Sequence, residues 1–441
     1  MRLLTALSSS VLNAAIFFSC TIPLSHAETF AIKGGKIYTM VSEQPISKST
    51  ILIVDGKITN IGKDIQIPKN ATIINAQNSI ITPGFMSSAS NLGLTEVLAV
   101  SVTNDFAAGS NETFDPSYGF NPNSTLIPIV RNGGLTRAVV IPIASDTPIA
   151  GVGFLINLGL GSELITQPKN AFYADMGERG AKLAGGSRGA AWRQLNTLFK
   201  EASAYRNNIN NIAPKPKSEL KSKPKTTPDN LLAVVKVLNK EIPLVATVDR
   251  ASDIRNLITF SIEFDIKVIV LGGAESWMVA KQLAQLDIPV ILDPTHNFPD
   301  LFETLNARSD TAALLHKAGV KMGFSMPRLI GLRTPDFSHN ADKIRISAGT
   351  AVSNGLPYFA ALKSLTTEAA QIWGVTNNYG TLAVGQDADI VIWSGDPLET
   401  MTYTVEVFIK GQLMPKTTRH TLLRDRYSPK NLNKKLPAKY H

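Results

Sequence analysis

The sequence predicts an α/β protein that combines a large parallel sheet with a separate strand-rich region. Short β-rich runs separated by turns fill residues 30–80, and the same pattern returns over 389–409. Between these regions, β-rich runs alternate with segments of helical spacing, and each connection is long enough for a helix. The middle of the chain therefore predicts parallel strands, arranged either as a barrel or as a doubly wound sheet.

The amino-terminal region predicts five short strands. They cover 30–33, 36–40, 49–54, 57–62 and 71–74. Asp55-Gly56 separates two of these runs, and this dipeptide between β-rich segments is a strong signal for a tight hairpin. Near the other end, 389–393 and 404–409 predict two more strands, with a turn at Lys410-Gly411. Strands from opposite ends of a chain can pair, so we expect one small sheet domain that contains both.

The middle region predicts alternating strands and helices. The strands are expected at 137–143, 244–248, 267–271, 289–293 and 320–324, and the helices at 254–264, 277–286 and 310–318. Residues 100–135 and 160–205 are rich in glycine and asparagine and give no clear element. No Gly-x-Gly-x-x-Gly motif follows a first strand, so dinucleotide binding has no support.

The first residues are typical of a cleaved secretory signal. Arg2 is followed by a short apolar run over Leu3 to Phe18, and small residues precede a cleavage point after Ala27. The alternatives are a buried amino-terminal helix or lipidation at Cys20, the single cysteine. Cleavage would leave a chain without thiols, which suits an oxidising compartment. We therefore expect a periplasmic or secreted protein, and nothing after the signal is apolar enough over about 20 residues to span a membrane.

The net charge of +9 is concentrated in two short segments. Residues 416–441 hold eight lysine or arginine side chains against Asp425 alone, and residues 214–225 hold five lysines against Glu219. The remainder of the chain is therefore close to neutral. Nucleic-acid binding requires basic residues patterned on a folded face, so we expect no nucleic-acid partner. The basic tail is compatible with a weak contact to an anionic membrane surface.

Several motifs at the two ends resemble the amidohydrolase superfamily, and most closely its imidazolonepropionase-like members. The opening motifs are Gly34-Gly35-Lys36-Ile37-Tyr38, Asp55-Gly56-Lys57-Ile58-Thr59-Asn60-Ile61-Gly62 and Ile81-Thr82-Pro83-Gly84-Phe85. The closing motif is Gly380-Thr381-Leu382-Ala383-Val384-Gly385-Gln386-Asp387-Ala388-Asp389-Ile390-Val391-Ile392-Trp393, followed by Gly411. The resemblance covers roughly residues 30–414, and the residues of these motifs are turn and scaffold residues.

The resemblance implies a (β/α)8 TIM-type barrel of the metal-dependent hydrolase type with a small composite β-sandwich from both ends of the chain. It also implies hydrolysis of carbon–nitrogen bonds other than peptide bonds. The domain boundaries expected on this basis are 1–27 for the signal peptide, 28–82 with 380–414 for the sandwich, 83–379 for the barrel, 211–230 for a flexible Pro/Lys-rich insertion within it, and 415–441 for the basic tail.

The metal ligands that the resemblance implies are missing from this chain. A His-x-His pair should end the first barrel strand and hold the metal that activates water, but the corresponding residues are Ala89 and Asn91. Alanine cannot bind a metal, and an amide oxygen is a weak zinc ligand. Later strand ends should carry two more histidines and an aspartate. Segments 247–250 and 271–275 contain no histidine, and 323–327 contains no acid.

The count of histidines supports the same conclusion. His26 precedes the predicted cleavage point, His420 and His441 lie in the tail, and the body of the chain keeps His296, His316 and His339. We therefore predict no binuclear centre and no tightly bound cofactor. At most, Asn91, Asp249, Glu275 and His296 could form a weak, oxygen-rich divalent site that suits magnesium or calcium better than zinc.

Five polar residues follow predicted strands and are the candidates for a ligand pocket, because barrel sites lie at the carboxyl ends of the strands. They are Asp249, Arg250, Glu275, Asp293 and His296. Structural alternatives exist for most of them: Asp249 and Arg250 could form a plain salt bridge, Glu275 could stabilise a helix start, and Asp293 could begin a turn.

Three functions follow from these observations. The chain is a hydrolase of amidohydrolase type with weak or lost activity, a degenerate barrel that binds a small molecule or a partner, or a structural partner recruited through its basic tail. The missing ligands favour degeneration, whereas the scaffold motifs fit the first two equally, because a fold does not determine a function.

Overall fold

The computed structural model describes residues 28–97, 100–107, 114–210, 228–296, 298–325 and 340–428. Several predictions concern residues outside these ranges. They are the signal peptide over 1–27 with Cys20, most of the insertion over 211–230, Met326 in segment 323–327, His339, and the end of the basic tail with His441.

Five amino-terminal strands lie where the sequence predicts them, although the one predicted over 36–40 ends at Ile37, and strands over 46–47 and 80–83 were not predicted. The first eight strands follow in chain order. They are β1 Phe30–Lys33, β2 Lys36–Ile37, β3 Ile46–Ser47, β4 Thr50–Val54, β5 Lys57–Gly62, β6 Thr72–Asn75, β7 Ile80–Pro83 and β8 Phe85–Ser90. The next elements are α1 Leu126–Asn132, β9 Leu135–Val140, β10 Ile149–Val152, β11 Phe154–Asn157, β12 Ile165–Gln167, β13 Phe172–Asp175, α2 Glu178–Leu183 and α3 Arg188–Asn210.

The rest of the chain alternates helices and strands before it returns to the strand-rich region. The middle elements are α4 Pro228–Leu238, β14 Leu244–Val248, α5 Ala251–Glu263, β15 Val268–Gly272, α6 Ala280–Gln285, β16 Val290–Leu292, α7 Thr311–Ala318 and β17 Met322–Phe324. The last elements are α8 Ile344–Ser353, α9 Tyr358–Leu365, α10 Thr367–Ile372, β18 Ile390–Trp393, β19 Thr404–Ile409, β20 Gln412–Leu413 and α11 Arg419–Tyr427.

Strands from both ends of the chain pair in one six-stranded sheet of order β20-β19-β18-β7-β2-β3. Its central contact is antiparallel, with Ile390 opposite Pro83 and Ile392 opposite Ile81. A four-stranded sheet of order β5-β4-β1-β6 accompanies it. One hydrophobic cluster includes Ile32 and Ile53 from the second sheet and Ile390 from the first. The two sheets therefore share a core that neither end of the chain could form alone.

Two tight turns bring the ends into direct contact. Asp55 and Gly56 both have positive φ, as do Lys410 and Gly411, which suits the mirror-image turns of hairpins. A Cβ atom on Gly56 would lie 2.7 Å from the carbonyl oxygen of Lys410, so glycine is required by the close approach. The hairpin predicted at Asp55-Gly56 is confirmed.

The middle of the chain forms two open sheets. Their orders are β12-β11-β9-β8 and β10-β13-β14-β15-β16-β17. Within them, β8 and β9 are parallel, and β13 to β17 are all parallel to one another. The described residues thus contain no single closed eight-stranded sheet, unlike the barrel expected from the sequence. The free edges lie side by side, since a Cβ atom on Gly323 of β17 would be 2.4 Å from Oγ of Ser88 in β8.

An antiparallel segment explains why the strands divide into two sheets. β10 and β11 follow one another with only Gly153 between them, and they pair antiparallel to β13 and β9, respectively. This segment links the two sheets, and because it is antiparallel to both neighbours, β9 and β13 point the same way. The sequence analysis predicted no strand over 149–157, and an apolar run does not by itself indicate the direction of a strand.

Buried ion pairs fasten the middle region to the strand-rich region. Arg137 in β9 donates through Nε to Asp389 Oδ2 at 2.9 Å and through Nη2 to Asp387 Oδ2 at 2.7 Å. Lys57 Nζ lies 2.6 Å from the other oxygen of Asp387. The guanidinium also lies 4.9 Å from the ring centre of Tyr379, within range of a cation–π contact. We call these five residues the junction network.

The ionic state of the junction network follows from its contacts. Burial acts to raise the pKa of the Asp387 carboxyl, but the hydrogen bonds from Lys57 and Arg137 outweigh it and hold that pKa below its usual range. Burial and the charge of Asp389 raise the pKa of the Tyr379 hydroxyl. Asp387 is therefore ionised and Tyr379 neutral at pH 7. The closing motif that contains Asp387 and Asp389 serves as scaffold.

Among the described residues, no helix has the length and apolar character needed to cross a bilayer.

Candidate functional site at the carboxyl ends of the strands

The candidate residues lie at one edge of the parallel strands, where their carboxyl ends meet. Asp249 directly follows β14, Glu275 comes three residues after β15, and Asp293 directly follows β16. Because neighbouring parallel strands end at the same edge, these side chains share one side of the sheet. The geometry at this edge decides whether they are available to a ligand.

The positions that correspond to the family's histidine pair are closed off. Ala89 is fully buried within β8, and Asn91 lies just beyond the strand with an exposed fraction of 2%. Nδ2 of Asn91 donates to the carbonyl oxygen of Ile141 at 2.8 Å. Ile141 follows β9, so this amide ties the ends of two neighbouring strands together.

Asp249 and Glu275 brace the ends of β14 and β15 in a reciprocal way. Oδ1 of Asp249 accepts a hydrogen bond from the backbone N–H of Ala274 at 3.1 Å. In return, Oε2 of Glu275 accepts from the backbone N–H of Ala251 at 2.9 Å. The other oxygen of Glu275 accepts from the backbone and the side chain of Asn306, at 3.2 and 2.9 Å. Both carboxylates are buried, and backbone donors occupy oxygens of each.

Arg250 does not pair with its neighbour Asp249. Its Nη2 lies 3.1 Å from Oδ1 of Asp253, one turn further along. The second oxygen of Asp253 pairs with Nε of Arg188 at 2.9 Å, and Arg188 also reaches Oε2 of Glu303 at 3.1 Å. That same Glu303 oxygen accepts the backbone N–H of Glu178 at 2.6 Å. This chain of charges joins α2, α3, α5 and the loop after β16.

The sequence did not identify Asp253, Arg188 or Glu303 as part of this edge. Arg188 lies in the segment over 160–205 that gave no clear element, so its position could not be inferred. Asp253 stands three residues after Arg250, and this spacing at the start of a predicted helix was the available signal.

Asp293 and His296 form local contacts in the loop after β16. Oδ1 of Asp293 accepts from the backbone N–H of Thr295 at 2.9 Å and from its hydroxyl at 2.6 Å, which is the geometry of an Asx turn. Nε2 of His296 lies 2.8 Å from Oδ1 of Asp300. Burial acts to raise the pKa of Asp300, but the hydrogen bonds from His296 and Thr304 outweigh it and lower that pKa.

His316 lies away from this edge. It occupies the last turn of α7, which runs back from the loop after β16 towards the start of β17. The end of that helix is therefore at the amino edge of the strands. The expected aspartate position at the end of β17 holds Ser325, whose backbone N–H donates to Leu292 at 3.0 Å.

The residues at this edge do not fit the metal centre that the family resemblance implies. Asp175, Asp249 and Glu275 end three consecutive strands, and each directs a carboxylate oxygen to backbone N–H groups. A carboxylate used in this way offers fewer lone pairs to a cation. Within the described ranges, no three His, Asp or Glu side chains are grouped as a metal site would require. The sequence prediction of a weak divalent site is not tested by this geometry.

Comparison with known proteins finds similarity to amidohydrolases. The model of the amidohydrolase family matches residues 267–414. The amidohydrolase tasK of Hapsidospora irregularis is 24% identical over 413 residues, which cover 82% of this chain and 39% of that protein. The chain thus spans well under half the length of this relative.

Solved structures show the same fold. An amidohydrolase from Thermotoga maritima MSB8 superposes with a TM-score of 0.77 and 24% identity, covering 88% of this chain and all of the other. Molinate hydrolase superposes with a TM-score of 0.54 and 15% identity, covering 89% of this chain and 95% of its own.

The fold is therefore that of the TIM-barrel metal-dependent hydrolases with an additional domain. Residues 267–414 are similar to the amidohydrolase family, and most of the chain is similar to an amidohydrolase in sequence and in fold.

Proposed function

We propose that this chain is an exported member of the amidohydrolase family in which hydrolysis of carbon–nitrogen bonds is weak or lost. Two observations support the proposal. The carboxylates that end β13, β14 and β15 bind backbone N–H groups, and Ala89 and Asn91 stand where the family's histidine pair is expected. The substrate class, carbon–nitrogen bonds other than peptide bonds, comes from the family and from neighbours such as molinate hydrolase.

Among the described residues, the lack of a group that activates water supports slow hydrolysis rather than a different mechanism. Water near pH 7 is a poor nucleophile, and a hydrolase of this class needs a group that activates it. Asp249 is a candidate general base at this edge, but its carboxylate already accepts the N–H of Ala274. Any reaction that pulled Asp249 towards a substrate would loosen the brace between β14 and β15.

We also propose that the two middle sheets close into one eight-stranded barrel. In this count β10 and β11 form one continuous antiparallel strand, and the other seven strands are parallel. The contact between Gly323 and Ser88 supports closure between β17 and β8. The domain boundaries follow as 28–82 with 380–414 for the sandwich and 83–379 for the barrel. The proposed similarity to imidazolonepropionase-like members rests only on the motifs at the two ends of the chain.

A turnover assay tests the loss of activity. The mature protein is incubated with a panel of amides, ureas and N-acyl compounds, with and without added zinc, manganese or magnesium. We expect no turnover above that of Asp249→Asn, which keeps an oxygen acceptor for Ala274. Turnover that requires an added metal and disappears in Asp249→Asn would show a working hydrolase and overturn the proposal.

A second candidate function, binding of a small molecule or a partner, is favoured by apolar side chains in the loop after β16. Phe302 is 84% exposed and Leu305 is 58% exposed, close in sequence to His296. Neighbouring exposed apolar side chains of this size are typical of contact surfaces. If this function holds, Phe302→Ser lowers ligand affinity without lowering stability, whereas Leu286→Ser, also exposed and at the end of a helix, changes neither.

The proposed location is the periplasm or the exterior of the cell, after cleavage behind Ala27. Mass spectrometry of the protein purified from its natural compartment gives the mature amino terminus. An intact Met1 or a lipid on Cys20 would contradict cleavage at this point.

A further inference from the structure

A groove of about 490 Å³ lies between the tail helix α11 and the segment that leads into α1. Arg419, Leu422, Leu423 and Arg426 line it from the helix, and Thr125 is among the residues on the other side. None of these residues belongs to the edge that carries the candidate functional site. The groove therefore needs an explanation of its own.

The tail is held in place although its helix has no buried residue. Nδ2 of Asn132, the last residue of α1, donates to the carbonyl oxygen of Lys416 at 3.0 Å. Thr418 then caps the helix, since its hydroxyl accepts the backbone N–H of Thr421 at 3.1 Å while its own N–H donates to the Thr421 hydroxyl at 2.9 Å. These contacts start α11 beside α1, so the groove is a defined feature of the fold.

Two guanidinium groups on the groove side of α11 have no partner among the described residues. Arg419 and Arg426 are seven residues apart, which is about two helical turns, so they lie on one face. Neither makes a hydrogen bond or an ion pair within the described part of the chain. Arg424, on another side of the helix, binds Asp425 through Nε at 2.8 Å and Nη2 at 2.7 Å. Among the described residues, one arginine of the helix is thus paired, and two are available to an external anion.

Apolar side chains lie between the two unpaired arginines. Leu422 is 59% exposed and Leu423 is 38% exposed, and both line the groove. A ligand that contacts both the arginines and the leucines would carry an anionic group next to an apolar portion. A free inorganic anion would leave the leucines in water, and a neutral apolar ligand would leave both guanidinium groups unpaired.

We propose that this groove binds the phosphate headgroup of an anionic phospholipid at a membrane surface. Arg419 and Arg426 donate to the phosphate oxygens, for which the planar guanidinium is well suited. Leu422 and Leu423 enter the boundary between headgroups and acyl chains, as in helices that lie on membranes. Residues 416–441 hold eight basic side chains against one acid, which strengthens the attraction to an anionic surface. The proposal is independent of whether the barrel hydrolyses anything.

Vesicle co-sedimentation of the mature full-length protein tests this proposal. Vesicles of phosphatidylglycerol and phosphatidylcholine are compared with vesicles of phosphatidylcholine alone. Arg419→Gln, Arg426→Gln and Arg424→Gln each remove one positive charge from the same exposed helix. We expect Arg419→Gln and Arg426→Gln to weaken binding to the anionic vesicles by about tenfold, and Arg424→Gln by no more than about twofold. Leu422→Ser should also weaken binding, whereas Thr421→Ser should not.

The three charge variants decide between a groove and a diffuse attraction. Equal losses for all three would mean that only the total charge matters, and the groove would have no role. Full displacement of the protein from vesicles by free glycerol 3-phosphate would mean that the site takes a soluble anion, which would also overturn the proposal. So would binding that is equal for neutral and anionic vesicles. Unchanged melting temperatures of the variants, expected since α11 has no buried residue, would show that the losses do not arise from unfolding.

Discussion

The carboxylates of the junction network and those at the carboxyl ends of the strands are satisfied in different ways. At the junction, Asp387 and Asp389 face the buried guanidinium of Arg137, so each negative charge has a positive partner. At the strand ends, Asp249 and Glu275 receive backbone N–H groups. Both sets of acids hold elements together. The junction acids do so chiefly through the ion pairs with Arg137, although Asp389 also accepts the backbone N–H of Lys410 at 2.8 Å.

The role of an acid in this fold therefore depends on its partners as well as on its position. Conventional reasoning treats acids at the strand ends as catalytic and acids in the closing motif as incidental. In this protein, the strand-end acids act as braces between neighbouring strands, and the closing-motif acids join two regions of the molecule. If both sets are structural, substituting these acids or their partners should lower the free energy of unfolding. The loss should be larger for a buried ion pair than for a hydrogen bond to a backbone N–H.

The largest effect is expected for Arg137→Met. The substitution leaves Asp389, with an exposed fraction of 2%, as a buried charge without its partner. Breaking a buried ion pair by removing one partner costs about 3–5 kcal/mol. The free energy of unfolding from urea titration measures this loss. Lys57→Met is the matched control, because the Lys57 side chain is 43% exposed and should cost no more than about 1 kcal/mol. Equal losses for the two variants would contradict the assignment.

Glu275→Ala should have the next largest effect. It removes the acceptor for the N–H of Ala251 and for both donors of Asn306, and a buried donor left without a partner costs about 1–3 kcal/mol. Glu275→Gln keeps one oxygen acceptor and should lose less. Thermal unfolding of the two variants provides the measurement. If Glu275→Ala is as stable as the parent chain but loses ligand binding, Glu275 belongs to a binding site and the brace is the wrong interpretation.

The junction should also make stability depend on pH in acid. The pKa of Asp387 in the folded protein is below its usual range, whereas an unfolded aspartate has a pKa of about 3.9. A lowered folded-state pKa stabilises the protein above the unfolded pKa, and this contribution is lost as pH falls through the folded pKa. The stability difference between the parent chain and Asp387→Asn should therefore be present at pH 6 and decrease below about pH 4. A difference that grows in acid would contradict this assignment.

The smallest effect is expected for Arg250→Ala. Its side chain is 41% exposed and contacts Asp253 within the same helical turn, an arrangement that contributes no more than about 1 kcal/mol. Arg188→Ala should cost more, because Arg188 contacts both Asp253 and Glu303, which are buried. Urea titration compares the two. A larger loss for Arg250→Ala would mean that it does more than the observed contact indicates.

Local chemistry made much of the fold predictable. The hairpin at Asp55-Gly56 and the strand over Leu244–Val248 follow from turn residues and apolar runs, and they occur as predicted. The helix predicted over 277–286 is instead a short 3-10 helix followed by α6, a difference confined to its first turn. These features depend on neighbouring residues, so one sequence is enough to infer them.

The features that depend on distant contacts could not be inferred. The 23 residues of α3 carry Leu195, Phe199 and Ala202 on one buried face, yet the glycines before the helix obscured this spacing. The partners of Asp249 and Glu275 come from another strand and a later loop, and no local pattern encodes them. The sequence placed the right acids at the strand ends, but only the fold indicates that they hold backbone N–H groups.

Elemental analysis of the purified mature protein, combined with thermal unfolding before and after chelation, tests the central claim most directly. If the strand-end acids are braces, zinc, manganese and iron should be far below one equivalent per chain, and chelation should leave the melting temperature unchanged. One or two equivalents of such a metal, with a melting temperature that falls on chelation and recovers when the metal is restored, would show that these acids hold a metal centre and would contradict the account.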